Sequence, residues 1–267
     1  MAKSEKPVIA VTGSGQGIGR GIILYFAEHG YNCAVLDLNL ETAKKVAEEC
    51  RAFGADAIAI QCDVTDRPSV DKAYGELGDY FGRLDVQVNN AGILKRERIM
   101  DCTEEVVDAI IGVNARGVVN TSHAAMQIMV PQRSGSIITA HSLLGDAMPD
   151  FGLGLYSATK AFVRTLTKVM AAECAPYGIR VNGYAPSVTA SPMVQNIIDN
   201  RPVEKLNQIA MREFGTPEQV GKVCWFLASD MSEYTTGASI PVDGGTWTVQ
   251  RPFKAWEAAG LYEHNEH

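Results

Sequence analysis

The amino-acid sequence predicts an α/β fold, a single doubly wound domain around a mostly parallel sheet with helices on both faces, on three observations. Short apolar runs of strand length recur along the chain and alternate with segments whose apolar residues repeat at helical spacing. A glycine-rich turn joins the first of these runs to the first helical pattern. Polar residues stand where the runs end, at Asp37, Asp63, Asn90 and Ser142. That edge is where open α/β sheets keep their functional groups.

The first element is the run Val8-Ile9-Ala10-Val11, apolar throughout as a strand buried on both faces should be. Thr12-Gly13-Ser14-Gly15-Gln16-Gly17-Ile18-Gly19 follows, and then a helix carrying Ile22, Ile23, Phe26 and Ala27. Strand, glycine loop and helix together form a dinucleotide-binding turn. Its amides can approach a pyrophosphate, and the helix N-terminus adds positive potential. The spacing is G-x-x-x-G-x-G from Gly13 through Gly17 to Gly19, not G-x-G-x-x-G. A second strand, Asn32–Leu36, ends at Asp37, 18 residues past Gly19. A carboxylate there accepts from ribose hydroxyls and repels a 2′-phosphate, and neither Ser14 nor Leu38 offers a cation for one. NAD(H) is therefore expected over NADP(H). The plain alternative, an exposed aspartate at a strand end, leaves its position unexplained.

The alternation continues with a helix over 40–53, a strand over 57–62 and a helix over 66–81. A strand over 84–88 then ends at Asn89-Asn90-Ala91-Gly92, and a long helical region covers 102–130. Next come a strand over 136–140 ending at His141-Ser142, a helix bearing Tyr156, and a strand over 179–184. Right-handed crossovers make this one parallel sheet. No linker, repeat or low-complexity tract interrupts it, so a single domain is expected over 1–249 with an extension over 250–267.

Composition narrows the class. The 267 residues are 46% hydrophobic, enough for a sizeable core. A formal net charge of −7 with no basic cluster disfavours nucleic acid as a partner. No apolar run has membrane-spanning length, and Met1–Lys6 leads into a strand without a signal-peptide core, so a cytoplasmic location is expected. Cys33, Cys50, Cys62, Cys102, Cys174 and Cys224 are scattered, with no C-x-x-C and no grouping with histidine. They read as buried reduced thiols, with neither disulfide nor metal site expected.

The chemistry centres on Leu155-Tyr156-Ser157-Ala158-Thr159-Lys160. Tyr156 and Lys160 are four apart and share one face of a helix. An ammonium beside a phenol favours the phenolate and brings its pKa toward the range useful for acid–base catalysis. Tyr-x-x-x-Lys also occurs as a core ring beside a snorkelling amine, so the pair gains weight only with its neighbours.

Those neighbours are Thr12-Gly13-x-x-x-Gly17-x-Gly19, Asn89-Asn90-Ala91-Gly92, Asn114, Ser142, Tyr156-x-x-x-Lys160 and Pro241-Val242-Asp243-Gly244-Gly245. Together, and in this order, they resemble the classical short-chain dehydrogenase/reductase family from about Pro7 to Gly245. The resemblance implies a single-domain Rossmann fold with a seven-stranded sheet. It makes Tyr156 the acid/base and Lys160 the holder of the nicotinamide ribose. Ser142 would stabilise the substrate oxygen, and Asn114 would support a water-linked proton relay. It also implies that Gly13, Gln16, Gly17 and Ile18 cradle the pyrophosphate, that Asp63 and Val64 flank the adenine, and that Asn90, Ala91 and Gly92 lead to the nicotinamide. Thr189 and Ser191 would hold the carboxamide and pyrophosphate. Two departures stand out: Ser187 occupies a glycine position, and one extra residue lies within 143–155.

Substrate recognition is expected from Ser142, Tyr156 and Leu144, with Asp146, Met148, Asp150 and Phe151 nearby. Lys95, Arg96, Arg98, Met193, Ile197 and Ile198 complete the surroundings. The two acids suggest hydroxyls, so the leading expectation is NAD-dependent oxidation of a polyol or sugar-like secondary alcohol. The alternatives are an apolar hydroxysteroid- or terpenoid-like substrate, or a 3-oxoacyl group, the latter disfavoured by Asp37 because such reductases commonly use NADPH. A non-catalytic NAD(H) sensor on the same fold is discounted because Asn114, Ser142, Tyr156 and Lys160 are all present. His141 should face away from Ser142 and serve packing. The resemblance further implies a homotetramer, or a homodimer. The aromatic extension, Trp247, Phe253, Trp256 and Tyr262, is expected to pack across a subunit boundary.

Overall fold

In the computed structural model, residues 4–145, 149–248 and 250–261 are described. Asp146, Met148, Tyr262, His264 and His267 lie outside them. The first strand, β1 (Val8–Thr12), is buried along its whole length and pairs in parallel with β2 (Asn32–Asp37) and β4 (Val86–Asn89). The remaining strands are β3 (Ala57–Gln61), β5 (Gly135–Ala140), β6 (Ile179–Pro186) and β7 (Ser239–Val242). Their order is β3-β2-β1-β4-β5-β6-β7, and every pairing is parallel, where the pattern promised only a mostly parallel sheet. The chain order reverses between β1 and β4, the position at which open α/β sheets open a crevice for ligands.

Helices cover both faces: α1 (Gly17–Glu28), α2 (Leu40–Ala52), α3 (Arg67–Phe81), α4 (Glu104–Ile111), α5 (Gly117–Gln132), α6 (Gly154–Cys174), the short α7 (Gln195–Asn200) and α8 (Pro202–Leu206), α9 (Pro217–Ala228) and α10 (Phe253–Ala258). Strand alternation splits the core in two. Val8 and Ala10 point toward Val70, Leu77, Phe81, Ala125, Met129 and Met170 of α3, α5 and α6. Ile9 and Val11 point toward Ile22, Phe26, Val46, Val220 and Leu227 of α1, α2 and α9. Each fully buried aliphatic or aromatic side chain contributes about 1.5–3 kcal/mol.

Side-chain capping marks the start of four helices, α2, α3, α4 and α9. Asn39 accepts from Glu41 and Thr42 N–H, Asp66 from Ser69 N–H and Thr103 from Val106 N–H, while Thr216 and Gln219 form a reciprocal capping box. The long helix expected over 102–130 is interrupted. Between α4 and α5, Gly112–Arg116 form a π turn, and Gly117 donates to the carbonyl of Gly112. A π turn of this kind is uncommon and recurs at functional sites. Asn114 lies within it.

Candidate active site

Gly13 and Gly17 have φ of +63° and +55°, a region that side chains disfavour. Close packing constrains the loop further: a Cβ on Gly13 would stand 2.9 Å from Ala91 Cα, and one on Gly19 would stand 2.3 Å from the Gly13 carbonyl. Asn90 locks this arrangement. Its amide donates to the carbonyls of Thr12 and Gly13 at 3.0 Å each and accepts from the buried Tyr184 hydroxyl at 2.9 Å. Thr12 Oγ1 accepts from the N–H groups of Asn90 and Ala91, both at 3.1 Å. The Asn90 side chain is therefore a brace for the loop, and only the backbone of Asn90, Ala91 and Gly92 remains to line a nicotinamide path. Gln16 precedes α1 without capping it, and the first turn of α1 holds no acid. A glycine cradle facing an uncapped helix start fits a pyrophosphate.

At the other end of the crevice, Asp37 Oδ2 accepts from Gly15 N–H at 2.8 Å and Oδ1 from Asn39 N–H at 2.9 Å. A carboxylate has about four acceptor positions, so each oxygen keeps capacity for a hydroxyl. A surface cleft opens here, lined by Asp37, Leu38, Asn39, Leu40, Glu41 and Gln61. Asp63 Oδ1 is held by Thr65 through its N–H and hydroxyl. Val64 packs its side chain against Gly117 and gives its carbonyl to Asn120, so it faces the crevice through backbone alone. These residues fit an adenosine with an unphosphorylated ribose.

Tyr156, Lys160, Ser142 and Asn114 come together at the carboxyl ends of β4 and β5. All four are at least nine-tenths buried. The Lys160 ammonium sits 5.7 Å from the Tyr156 ring centre, and Ser142 is near enough to the phenol to favour its charged form. Burial raises the Tyr156 pKa, and Ser142 opposes it. The Lys160 ammonium, one helical turn from the phenol, donates to the Ala140 carbonyl at 2.9 Å. Burial lowers Lys160 to about 8. Asn114 brackets Ile93, accepting from its N–H at 2.8 Å and donating to its carbonyl at 2.9 Å, and its amide also reaches Thr159 at 3.3 Å. The amide implied for a proton relay is thus engaged at both ends in holding the strand-end segment.

His141 faces away from Ser142. Its Nε2 lies 2.8 Å from Thr139 Oγ1 and 2.9 Å from Thr167 Oγ1, and its Nδ1 lies 2.8 Å from Ser239 Oγ. Burial first, then the charges of Lys160 and Arg164, lowers its pKa from 6.5 to about 3. The unfolded chain binds this proton below 6.5 and the folded chain does not, so stability falls as pH drops from 6.5 toward 3. The loss across that window is on the order of 4 kcal/mol. Urea unfolding of His141→Asn should give a shallower acid slope than the parent between those limits. Parallel curves would contradict the buried neutral histidine.

Ser191 stands beside the cradle, its Cβ 3.3 Å from where a Gly17 Cβ would be. Thr189 is buried, and its hydroxyl donates to the Ser187 carbonyl at 3.2 Å. Ser187 has no positive φ, so a serine fits this glycine position without strain, and its hydroxyl meets Thr246 at 3.0 Å. Leu144 lies on a short turn, and its N–H donates to Ser142 Oγ at 3.2 Å. Arg96 pairs with Asp150 Oδ2 at 2.8 Å and lowers its pKa, and Glu97 N–H ties the same loop through the Gly152 carbonyl at 2.7 Å. Arg98 pairs with Asp101. Sequence reading missed Thr12, Thr159 and the Ala140 carbonyl as supports, since each works through contacts distant in sequence.

Comparison with known proteins agrees with this geometry. A family profile described as enoyl-(acyl carrier protein) reductase matches residues 13–246. The 3-oxoacyl-[acyl-carrier-protein] reductase FabG of Staphylococcus aureus is 42% identical over 238 residues, covering 89% of this chain and 96% of the relative. A short-chain type dehydrogenase/reductase from Mycobacterium marinum superposes with a TM-score of 0.86 at 34% identity, covering 92% of this chain and 97% of that one. A 3-ketoacyl-(acyl-carrier-protein) reductase from Brucella melitensis complexed with NADH gives 0.84 at 30% identity, covering 91% and 98%. Motifs, sheet order and relatives agree: the chain belongs to the classical short-chain dehydrogenase/reductase family of oxidoreductases.

Proposed function

We propose that this protein reduces the 3-keto group of a 3-oxoacyl thioester with NADH. The observation that carries the reading is the 42% identity to a 3-oxoacyl reductase across 89% of the chain. Asp37 had argued against such a substrate through its preference for NADH. The relative from Brucella melitensis removes that objection, since it is a 3-ketoacyl reductase in complex with NADH. The polyol reading is correspondingly weaker, because one of the two acids it drew on, Asp150, pairs with Arg96 through Oδ2.

When bound, the nicotinamide supplies the hydride to the carbonyl carbon. The residues of this chain manage the oxygen. Burial keeps the Tyr156 phenol protonated at neutral pH, so Tyr156 enters reduction as the proton donor. Ser142 Oγ, oriented by Leu144 N–H, donates to the same carbonyl oxygen as negative charge develops on it. Lys160 is assigned to the nicotinamide ribose, its ammonium having two donors beyond the one on Ala140. Asn114 holds Ile93, and so the path beside Gly92, in place. Asp37 takes the adenosine ribose, the Gly13–Gly19 loop with Ser191 takes the pyrophosphate, and Thr189 borders the carboxamide.

A panel of short 3-oxoacyl thioesters, polyols, hydroxysteroids and hydroxy acids, followed by NADH absorbance, tests the reading. Reduction of the thioesters should exceed oxidation of every polyol. Polyol oxidation with inert thioesters would overturn it. The dinucleotide-binding unit is assigned to 1–249. Val119 on α5 and Phe162 and Val169 on α6 are exposed apolar residues that suit the homotetramer the family resemblance implies. A monomer in solution scattering would contradict that assembly. Among the described residues no helix is long and apolar enough to cross a membrane.

A further inference from the structure

Between Thr189 and Gly215 the chain makes an excursion that begins and ends at one neck. Gly215 N–H donates to the Val188 carbonyl at 3.0 Å, and Ala190 N–H donates to the Gly215 carbonyl at 2.9 Å. The neck adjoins the glycine loop through Ser191. The excursion carries α7 and α8, and neither helix has a fully buried residue. A segment with so little core of its own holds one position only if it is tied from outside.

The ties lie on its return, at 209–212. Met211 N–H donates to the Gly244 carbonyl at 2.9 Å, and any Cβ on Gly244 or Gly245 would stand 2.8 Å from Ile209 Cγ2 or Ala210 Cβ. The opposite side is gripped by the C-terminal extension. Trp256 Nε1 donates to the Ala210 carbonyl at 2.7 Å, and the Arg212 guanidinium lies 5.9 Å from the Trp256 ring centre. Arg212 has φ of +53°, and Arg251, which leads into α10, has φ of +59°. Non-glycine residues stay in that region only where their surroundings hold them.

We propose that α10 is a strap acting on its own chain, and that Trp256 is a positioning residue for substrate binding. By fixing the 209–212 turn it sets, through the Thr189–Gly215 neck, the loop whose Met193, Ile197 and Ile198 are the residues expected around the substrate. Trp256 acts through Ala210 and Arg212, the two residues it holds. The kinetic arm of the test rests on the reductase reading; the digestion arm does not.

The variants are Trp256→Ala and Trp256→Phe, the second keeping a ring under Arg212 but losing the N–H donor. In Trp256→Ala, limited tryptic cleavage after Lys205 and Arg212 should be about tenfold faster. KM for a 3-oxoacyl thioester should rise by about tenfold, while kcat and NADH affinity stay within about twofold. Trp256→Phe should fall between parent and Trp256→Ala in both readouts. Unchanged digestion in both variants overturns the strap. Faster digestion with unchanged KM overturns the positioning role. If the parent reduces no thioester, the reductase reading fails, and digestion alone decides the strap. If Trp256→Ala fails to fold, Trp256→Phe supplies both comparisons.

Discussion

Tyr156→Phe is expected to lower turnover about a thousandfold while leaving NADH affinity nearly unchanged. The substitution keeps the ring that packs in the buried wall and removes only the hydroxyl, so fold and cofactor cradle should survive it. What is lost is the proton that must reach the carbonyl oxygen. Burial raises the phenol pKa, so Tyr156 carries its proton at neutral pH and has it to give to the oxygen. Water is a poor substitute, because the site around Tyr156, Ser142 and Lys160 is almost wholly shielded. Steady-state rates with titration of NADH fluorescence check both halves. Parent-like turnover in the variant would remove Tyr156 from the chemistry.

The second large effect concerns the other end of the crevice. Asp37→Ser combined with Leu38→Arg should move the NADH-over-NADPH preference by about a hundredfold toward NADPH. Asp37 presents a carboxylate where a 2′-phosphate would sit, and Leu38 beside it is largely exposed with no charge to offer. The single change should relax discrimination without inverting it, because no cation is gained. It should also loosen the glycine loop, since Asp37 accepts from Gly15 N–H and a Gly15 Cβ would stand 3.0 Å from Asp37 Cγ. Comparing kcat/KM for both dinucleotides decides it. A parent that already prefers NADPH would show that Asp37 does not read the ribose.

The fold was largely legible because its signals are local. Apolar runs such as Val8–Val11, helical spacing after Gly19 and polar residues at strand ends each follow from a few neighbouring positions. The relative placement of Tyr156 and Lys160 follows from a single helix. The sequence could not show how polar groups are spent. Asp150 reads as a free acid until Arg96, 54 positions away, is seen to hold it. Asn90 reads as a cofactor contact until Tyr184 and the Thr12 and Gly13 carbonyls claim its side chain. Spacing likewise reports that Lys160 neighbours Tyr156 but not that its ammonium also holds the carbonyl of Ala140. The π turn at Gly112–Arg116 was equally hidden, since 3.6-residue periodicity persists on both sides of it.

The most direct measurement is a crystal structure of this protein with NADH and an unreactive 3-oxoacyl thioester analogue. The account predicts the adenosine ribose hydroxyls on Asp37, the Lys160 ammonium on the second ribose, and the keto oxygen between Ser142 Oγ and the Tyr156 hydroxyl. A keto oxygen out of reach of Tyr156, or a Lys160 ammonium out of reach of the second ribose, would contradict it.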